Sequence, residues 1–347
     1  MPWMRKIAPR VCGLLAALAT VPALAPCGNG ASAQREAHPA SAPPADEGGG
    51  QTIRIGTKLV NVIFSVTDRQ QRHVNDLTQG EVTVLEDGKP QQVFTFKREA
   101  DLPLTMAVLV DTSNSVQPIL PRLTEAGARF VDAVVRPGKD TAAVIGFGGE
   151  ATLFQDLTTN AARLRRALKE IAGVGRPPGP GAGGGLPVPG VPFLGGTSIY
   201  DSVIAACEQL LGKEPGRKTV VLFTDGYDTT SRYQRGDAVE AALRAEAAVY
   251  AIGIGDYDDE GVDKGALNAL CEPTGGRAFV PKGPSDLDHA FAELERDLRQ
   301  QYLLAYEPAN ERADGRFRKI EVRTSGRKGL RIRHRRGYYA PAGLPGR

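Results

Sequence analysis

The stretch Met106–Ser115, MAVLVDTSNS, constrains the fold of this chain more than any other. Its unbroken apolar run, Met106–Val110, is typical of a strand buried on both faces of a parallel sheet. Open α/β sheets bind their ligands at the carboxyl ends of such strands. There Asp111, Ser113 and Ser115 supply three oxygen-bearing side chains within five residues. Hard divalent cations prefer oxygen ligands, so the stretch predicts a metal site, although Asp and Ser here are also typical of a helix N-cap.

Two further stretches favour the metal site over simple capping. Thr219–Gly226, TVVLFTDG, is a second apolar strand that ends in a carboxylate, Asp225. Gly195–Val203, GGTSIYDSV, places Thr197 in a glycine-rich turn that opens a helix. The order Asp-x-Ser-x-Ser, Gly-Thr and Thr-Asp-Gly resembles the metal-ion-dependent adhesion site of von Willebrand factor A (VWA) domains. The resemblance implies a metal site of five residues: Asp111, Ser113, Ser115, Thr197 and Asp225.

The same resemblance implies a role for each of the five. Ser113 and Ser115 would bind the cation directly, and Thr197 would bind it directly or through water. Asp111 and Asp225 would act mostly through bridging waters. With few direct carboxylates the cation stays electrophilic, so an Asp or Glu carboxylate of a partner protein can complete its coordination. We expect Mg²⁺, with Mn²⁺ or Ca²⁺ as alternatives.

From Leu102 to about Arg299 the chain alternates apolar strand runs with amphipathic helical runs. This alternation predicts an α/β domain with a doubly wound, mostly parallel sheet that is Rossmann-like in architecture. Among its helices we expect Pro121–Val135 and Arg235–Val249. The glycine- and proline-rich segment 173–196 cannot continue either regular structure. It is either a disordered surface insertion or a rim beside the metal.

The segments on either side of this domain have strand patterning instead. Apolar and polar residues alternate in 52–100 and again in 301–347, as in half-buried strands, and Asp87-Gly88 is typical of a hairpin turn. Neither segment is long enough to bury a core alone. We therefore expect the two to form one small β-sandwich-like module, with the α/β domain inserted between its strands. Its last strand would be the run LRIRHRRGYYA, Leu330–Ala340.

These flanking patterns also resemble a known family. The N-terminal V-x-V-T-D and E-D-G-K-P-Q motifs, followed by the C-terminal Q-Y-L-L-A-Y, D-G-x-F-R-K-I and R-R-G-Y-Y-A motifs, are similar to those of bacterial secreted "VWFA-related" proteins. Together with the central motifs, the resemblance covers nearly all of the mature chain. It implies protein binding through a metal.

The N-terminus predicts export. Residues 1–33 have the basic start, the apolar centre and the Ala31-Ser32-Ala33 cleavage site of a secretory signal peptide. A lipoprotein cleavage at Cys27 is the alternative, although Pro26 argues against it. No later segment is long and apolar enough to span a membrane. The predicted organisation is a signal peptide (1–33), a disordered linker (34–51), an N-terminal β segment (52–100), a VWA domain (101–300) and a C-terminal β segment (301–347).

The charge balance restricts the class of partner, and the cysteine content bears on disulfide formation. The 43 basic and 40 acidic residues nearly balance, so a nucleic acid is not the expected partner. The basic strands after Gly315 are either a solvated sheet face or a contact for an anionic surface. The mature chain would keep only Cys207 and Cys271, which we expect to be buried thiols, with a disulfide as the alternative.

The function expected from sequence is an extracytoplasmic protein that binds a protein ligand through a divalent metal. A metal-dependent phosphohydrolase is the enzymatic rival, but it would need a base or a phosphate-clamping lysine beside the metal. None of the histidines, which are His38, His73, His289 and His334, neighbours the metal stretches. We therefore expect no enzyme. The remaining alternative is a structural envelope protein whose metal only stabilises the fold.

Overall fold

A computed structural model describes residues 59–98, 102–173, 196–255, 261–283 and 286–342. The predicted signal peptide, the linker and nearly all of the glycine- and proline-rich loop lie outside these residues. The strands are β1 (Val60–Thr67), β2 (Val82–Glu86), β3 (Lys89–Gln91), β4 (Val93–Arg98), β5 (Leu104–Asp111), β6 (Thr141–Phe147), β7 (Ala151–Thr158), β8 (Arg217–Thr224), β9 (Ala247–Gly253), β10 (Ala278–Phe279), β11 (Tyr302–Tyr306), β12 (Phe317–Thr324), β13 (Arg331–His334) and β14 (Gly337–Tyr339). The α-helices are α1 (Leu120–Val134), α2 (Ala161–Gly173), α3 (Ile199–Ala205), α4 (Arg235–Arg244), α5 (Lys264–Cys271) and α6 (Leu287–Arg299).

A six-stranded sheet in the order β10-β9-β8-β5-β6-β7 forms the centre of the molecule. All its neighbouring strands pair in parallel except β6 and β7, which form an antiparallel edge. β5 is buried along its whole length, and helices cover both faces of the sheet through two separate hydrophobic clusters. The doubly wound α/β fold predicted from the sequence is thus confirmed.

The chain changes direction across this sheet beside β5. From β5 it passes through α1 to β6 on one side, whereas from β8 it passes through α4 to β9 on the other side. The two helical connections therefore leave from opposite sides of a crevice at the carboxyl ends of β5 and β8. Such a switch point is where doubly wound sheets bind ligands.

One helix is shorter than the sequence predicts. The helix expected over Arg235–Val249 ends at Arg244, and Glu246 takes a left-handed conformation with φ 55°. The alanines that follow have high helix propensity, but they join β9, in which Ala247 pairs with Lys218 of β8. Strand pairing in the buried sheet outweighs their helix propensity. The helix after Ser198 continues beyond Ala205 as a π-helical turn, Ala206–Leu211.

The two flanking β segments pair with each other, as the sequence predicted. β1 pairs with β11 and β13, and β11 pairs with β4. A second sheet, β14-β12-β2-β3, contributes Val84 and Ile320 to the same core as Val62 and Leu304 of the first. The hairpin turn at Asp87-Gly88 has positive φ at both positions, 47° and 80°. The module is therefore a small sandwich built from both ends of the described chain.

The predicted last strand is wrong in its extent. The run Leu330–Ala340 divides into β13, which belongs to the first sheet, and β14, which belongs to the second. The division falls at Arg335-Arg336, where the Arg336 amide donates to Pro273 O and Arg335 turns into the interior. A continuous strand would have left Arg335 no access to the carboxylate of Glu246, which it contacts at 2.9 Å.

A buried ion cluster joins the sandwich to the α/β domain. Asp297 on α6 is fully buried and accepts hydrogen bonds from Arg277 Nε at 2.6 Å and Arg277 Nη2 at 3.1 Å. His73 Nε2, which follows β1, lies 2.8 Å from the same carboxylate. Burial works to raise the pKa of Asp297, but the hydrogen bonds and charges of His73 and Arg277 outweigh it and hold the pKa below its ordinary value.

Cys207 and Cys271 are both buried and both free thiols. Burial raises the pKa of Cys207 to about 12 and also raises that of Cys271, so both are inert at neutral pH. None of the described helices has the length and apolarity needed to cross a membrane.

Candidate metal site at the switch point

Four of the five predicted site residues form one chain of hydrogen bonds. Ser113 Oγ lies 3.0 Å from Ser115 Oγ, and Ser115 Oγ donates to Asp225 Oδ2 at 2.5 Å. The Ser113 amide donates to Asp111 Oδ1 at 2.8 Å. These groups come from the carboxyl ends of two adjacent parallel strands, where the register carries both chains to the same edge of the sheet. The structure therefore brings Asp111, Ser113, Ser115 and Asp225 together.

Thr197 lies on the neighbouring loop and is held there by its backbone. Its amide donates to Thr229 Oγ1 at 2.8 Å, and its carbonyl accepts from the amides of Thr229 and Thr230. Thr229 is four residues beyond Asp225 in the chain. The contacts of Thr197 thus attach it to the loop that follows β8, whereas the other four residues are linked through their side chains.

A second set of contacts ties the Thr197 loop to β5. Ser198 donates both its amide and its hydroxyl to Gly148 O at 2.8 Å. Thr112 donates its amide and its hydroxyl to Phe147 O, one residue before that glycine. A side chain at Gly148 would press against Thr112 Oγ1, so the absence of a Cβ lets these two loops approach.

The buried carboxylates are neutralised by no cationic side chain of the described chain. Asp111 and Asp225 are 0% and 3% exposed. Asp111 Oδ2 accepts from Thr224 Oγ1 at 2.6 Å, and Asp225 Oδ1 accepts from the Tyr227 amide at 3.0 Å. Their partners are thus hydroxyls and amides throughout. Burial raises the pKa of Asp111 to about 6, against the hydrogen bonds of Thr224 and Ser113, and the charge of Asp225 raises it further.

The donor set fits a hard divalent cation. Hydroxyl and carboxylate oxygens are the ligands that Mg²⁺ takes in proteins, and two uncompensated buried carboxylates favour a positive ion beside them. Ser115 is solvent-exposed, so the cluster opens to the outside on this side. The described residues contain no group of three or more His, Cys, Asp or Glu side chains suited to a metal, so any cation here depends on the hydroxyls.

Sequence reasoning missed Thr224, whose hydroxyl orients Asp111. It also accepts a hydrogen bond from the Gly226 amide at 3.2 Å. A hydroxyl residue directly before the strand-terminal carboxylate of TVVLFTDG was the available signal. Asp228, by contrast, belongs to the loop, because its carboxylate accepts from the Ser231 hydroxyl at 2.6 Å and from the Tyr200 amide at 3.1 Å.

Comparison with known proteins agrees with this geometry. The sequence model of the von Willebrand factor type A domain matches residues 106–227, which include all five predicted site residues. The chain is a VWA-domain protein. The match leaves the sandwich strands on both sides of the VWA domain uncovered. No curated protein matches the chain by sequence.

Several solved structures of distant sequence are also similar to this chain. Proximal thread matrix protein 1 of the mussel byssus is 17% identical, with a TM-score of 0.48, and the match covers 62% of this chain and 51% of the mussel chain. The same mussel protein with a zinc-occupied MIDAS motif is 17% identical over 61% of this chain and 49% of that one, with a TM-score of 0.47. A von Willebrand factor type A protein of Catenulispora acidiphila is 13% identical, with a TM-score of 0.45, over 83% of this chain and 75% of that one. The chain thus spans about half the length of the mussel protein.

Gly196 fixes the position of Thr197, and its replacement by alanine tests this. Its φ is 89°, and a Cβ there would collide with the side chain of Thr230. We expect Gly196→Ala to destabilise the protein by about 1–3 kcal/mol and to weaken metal binding, because the loop that carries Thr197 must move. Urea unfolding and Mn²⁺ titration measure the two effects. Gly236→Ala is the control, since a Cβ there meets nothing within 4 Å. Equal behaviour of the two variants would contradict the assignment.

Proposed function

We propose that this protein is an extracytoplasmic binding protein that captures a protein ligand through a divalent cation at the VWA switch point. The observation that supports it is the pair of buried carboxylates, Asp111 and Asp225, in an oxygen cluster to which the described chain contributes no positive charge. The export signal predicted for residues 1–33 supports an extracytoplasmic location.

The residues of such a site would divide its work by their chemistry. Ser113 and Ser115 would hold the cation through their hydroxyls, and Thr197 would join them directly or through water. Asp111 and Asp225 would supply the negative charge, mostly through bridging waters. A bound Mg²⁺, or Mn²⁺ or Ca²⁺ in its place, supplies a Lewis acid that accepts a carboxylate oxygen from the partner. The exposed side of the cluster, at Ser115, is the face that the partner carboxylate would approach.

We propose that the site binds without catalysing a reaction. A hydrolytic centre would need a general base beside the oxygen cluster. His73 contacts Asp297 instead, and His334 Nε2 accepts a hydrogen bond from the Val322 amide in the sandwich. The described contacts of Asp111 and Asp225 come from hydroxyls and amides. The polar groups of the site therefore suit ligation better than proton transfer.

An EDTA-controlled capture experiment tests the proposal. Immobilised protein is incubated with envelope extract in Mg²⁺, and we expect a captured protein that EDTA releases and added Mg²⁺ restores. Ser115→Ala should lose this capture, because it removes an exposed ligand hydroxyl, whereas Asn114→Ala, exposed in the same turn, should retain it. Calorimetric Mg²⁺ titration accompanies the capture. Metal binding without EDTA-sensitive capture would favour the structural alternative, in which the cation only stabilises the fold, and no metal binding would exclude both.

A further inference from the structure

A cavity of about 410 Å³ lies between the VWA domain and the sandwich. The amino ends of β8 and β9 form one wall, through Lys218 and Ala247, and β1 and β13 form the other, through Ser65 and Arg333. Asp225 lies seven positions beyond Lys218, which corresponds to roughly 23 Å along the strand. The cavity is therefore distinct from the metal site, and its volume is within the range of small-ligand pockets.

The side chains that line this cavity are unusually basic. Four cationic residues face it, and they come from both walls: Arg217, Lys218, Arg333 and Arg335. The lining contains one carboxylate, that of Glu246, which is half-exposed and already contacts Arg335 Nη1 at 2.9 Å. The lining therefore carries an excess of positive charge. Burying like charges together is unfavourable unless a counter-charge compensates them.

The burial of Arg333 in this basic lining is not explained by its contacts. Its guanidinium forms no hydrogen bond or ion pair within the described part of the chain, and its Nη1 atom is buried without a partner. Arg335, 7% exposed, uses both terminal nitrogens on Glu246 and Asn61 O, but its buried Nε also lacks a partner. Native structures rarely leave such donors unsatisfied. These two donors therefore indicate a missing acceptor in the cavity.

The pKa shifts of two lining residues are consistent with a missing acceptor. Burial lowers the pKa of Arg333 from its ordinary value, and the nearby charge of Arg277 lowers it further. Burial likewise lowers the pKa of Lys218, although Glu246 opposes the shift. The charge of Asp297 opposes the shift of Arg333, but the Asp297 carboxylate contacts His73 and Arg277 and not Arg333. An external anion would relieve all of these effects at once.

We propose that this cavity binds a small multivalent oxyanion of the phosphate class and that the anion clamps the sandwich to the VWA domain. The planar guanidinium of Arg333 has the donor geometry for a tetrahedral oxyanion, and Lys218 supplies a point charge from the opposite wall. The ligand is either inorganic phosphate or the phosphate group of a small organic ester, since the two present the same oxygens. The proposal does not depend on the metal site.

Thermal unfolding of the metal-free full chain tests the proposal, because phosphate would otherwise complex Mg²⁺. Inorganic phosphate and glycerol 3-phosphate are compared with potassium chloride at the same ionic strength. We expect phosphate to raise the Tm by several degrees beyond chloride, as a ligand specific to the folded state does. A response to both phosphates assigns the oxyanion site, and a stronger response to one of them identifies the source.

Two arginines of β13 provide a matched pair of variants. Arg333→Gln should weaken phosphate binding about tenfold or more, and it should raise the Tm in phosphate-free buffer because a buried unpaired charge is removed. Arg331→Gln, exposed at the start of the same strand and outside the cavity lining, should retain the phosphate response. A full phosphate response in Arg333→Gln would overturn the proposal. So would a wild type whose Tm rises no more in phosphate than in chloride.

Discussion

Asp111→Asn is expected to lower the affinity for Mg²⁺ or Mn²⁺ roughly 100-fold while making the metal-free protein more stable. The amide keeps the shape of the side chain and can still accept from the Ser113 amide, and Thr224 Oγ1 can accept from its nitrogen. What it loses is the negative charge. In the metal-free protein that charge is buried, and the rise of the Asp111 pKa from 3.8 to about 6 corresponds to about 3 kcal/mol at most.

The pH dependence has a definite sign. Because the folded-state pKa of Asp111 is raised, its contribution to stability is fully present below about 3.8 and is lost as the pH rises through about 6. The metal-free wild type should therefore lose stability relative to Asp111→Asn between pH 4 and pH 7. Saturating Mg²⁺ should reverse the order at pH 7.

Calorimetric titration and urea unfolding at several pH values measure both effects. Asp156→Asn is the control, since Asp156 is exposed on the edge strand β7. Equal metal affinity in Asp111→Asn and wild type would remove the basis of the proposed function. A less stable metal-free variant would show that the Asp111 charge is compensated by a group other than those described.

Asp297→Ala is expected to destabilise the protein by about 3–5 kcal/mol at pH 7. The substitution leaves Arg277 and His73 buried beside each other without their shared carboxylate, and it cuts the connection between α6 and the sandwich. Asp288→Ala is the matched control on the same helix. Asp288 pairs with Arg129 at the surface, where both side chains are more than half exposed, so its loss should cost less than about 1 kcal/mol.

The pKa of Asp297 gives this cluster its own acid dependence. Because that pKa is lowered, its contribution is present above about 3.8 and is lost as the pH falls below that value. The difference in unfolding free energy between wild type and Asp297→Ala should therefore shrink as the pH falls below about 4. A difference that stays constant between pH 7 and pH 3 would contradict the ionic account of the cluster.

The oxygen cluster at Asp111 and Asp225 was largely predictable because its signal is local. Each of the strand-to-loop junctions, at Asp111 and Asp225, shows an apolar run that ends in oxygen-bearing residues, and parallel strands bring such junctions to one edge. The sandwich was predictable for a related reason, since Asp87-Gly88 and the two-residue alternation need no long-range information. The role of Thr224 was within reach of the same reasoning. The segment limits proposed for the signal peptide, the linker and the domains stay predictions.

The features that sequence reasoning missed depend on contacts between distant segments. The end of α4 at Arg244 is set by the pairing of Ala247 with β8, which local propensity opposes. β13 and β14 are separate strands because the chain passes from one sheet of the sandwich to the other at Arg335. The basic cavity combines residues near 217 with residues near 334, and periodicity alone predicts for the latter either a solvated strand face or an anionic contact, not a cavity. That Arg333 lines the cavity while Arg331 is exposed depends on the fold.

The attachment of the VWA domain to the sandwich has a mechanical consequence. The chain leaves the sandwich after Arg98 and returns at Tyr302, and these two residues are direct partners across β4 and β11. Partners in an antiparallel pair lie about 5 Å apart. Tension on a ligand held by the VWA domain would therefore reach the sandwich through two adjacent anchor points and would pull β4 and β11 in the same direction, from the same end of their ladder.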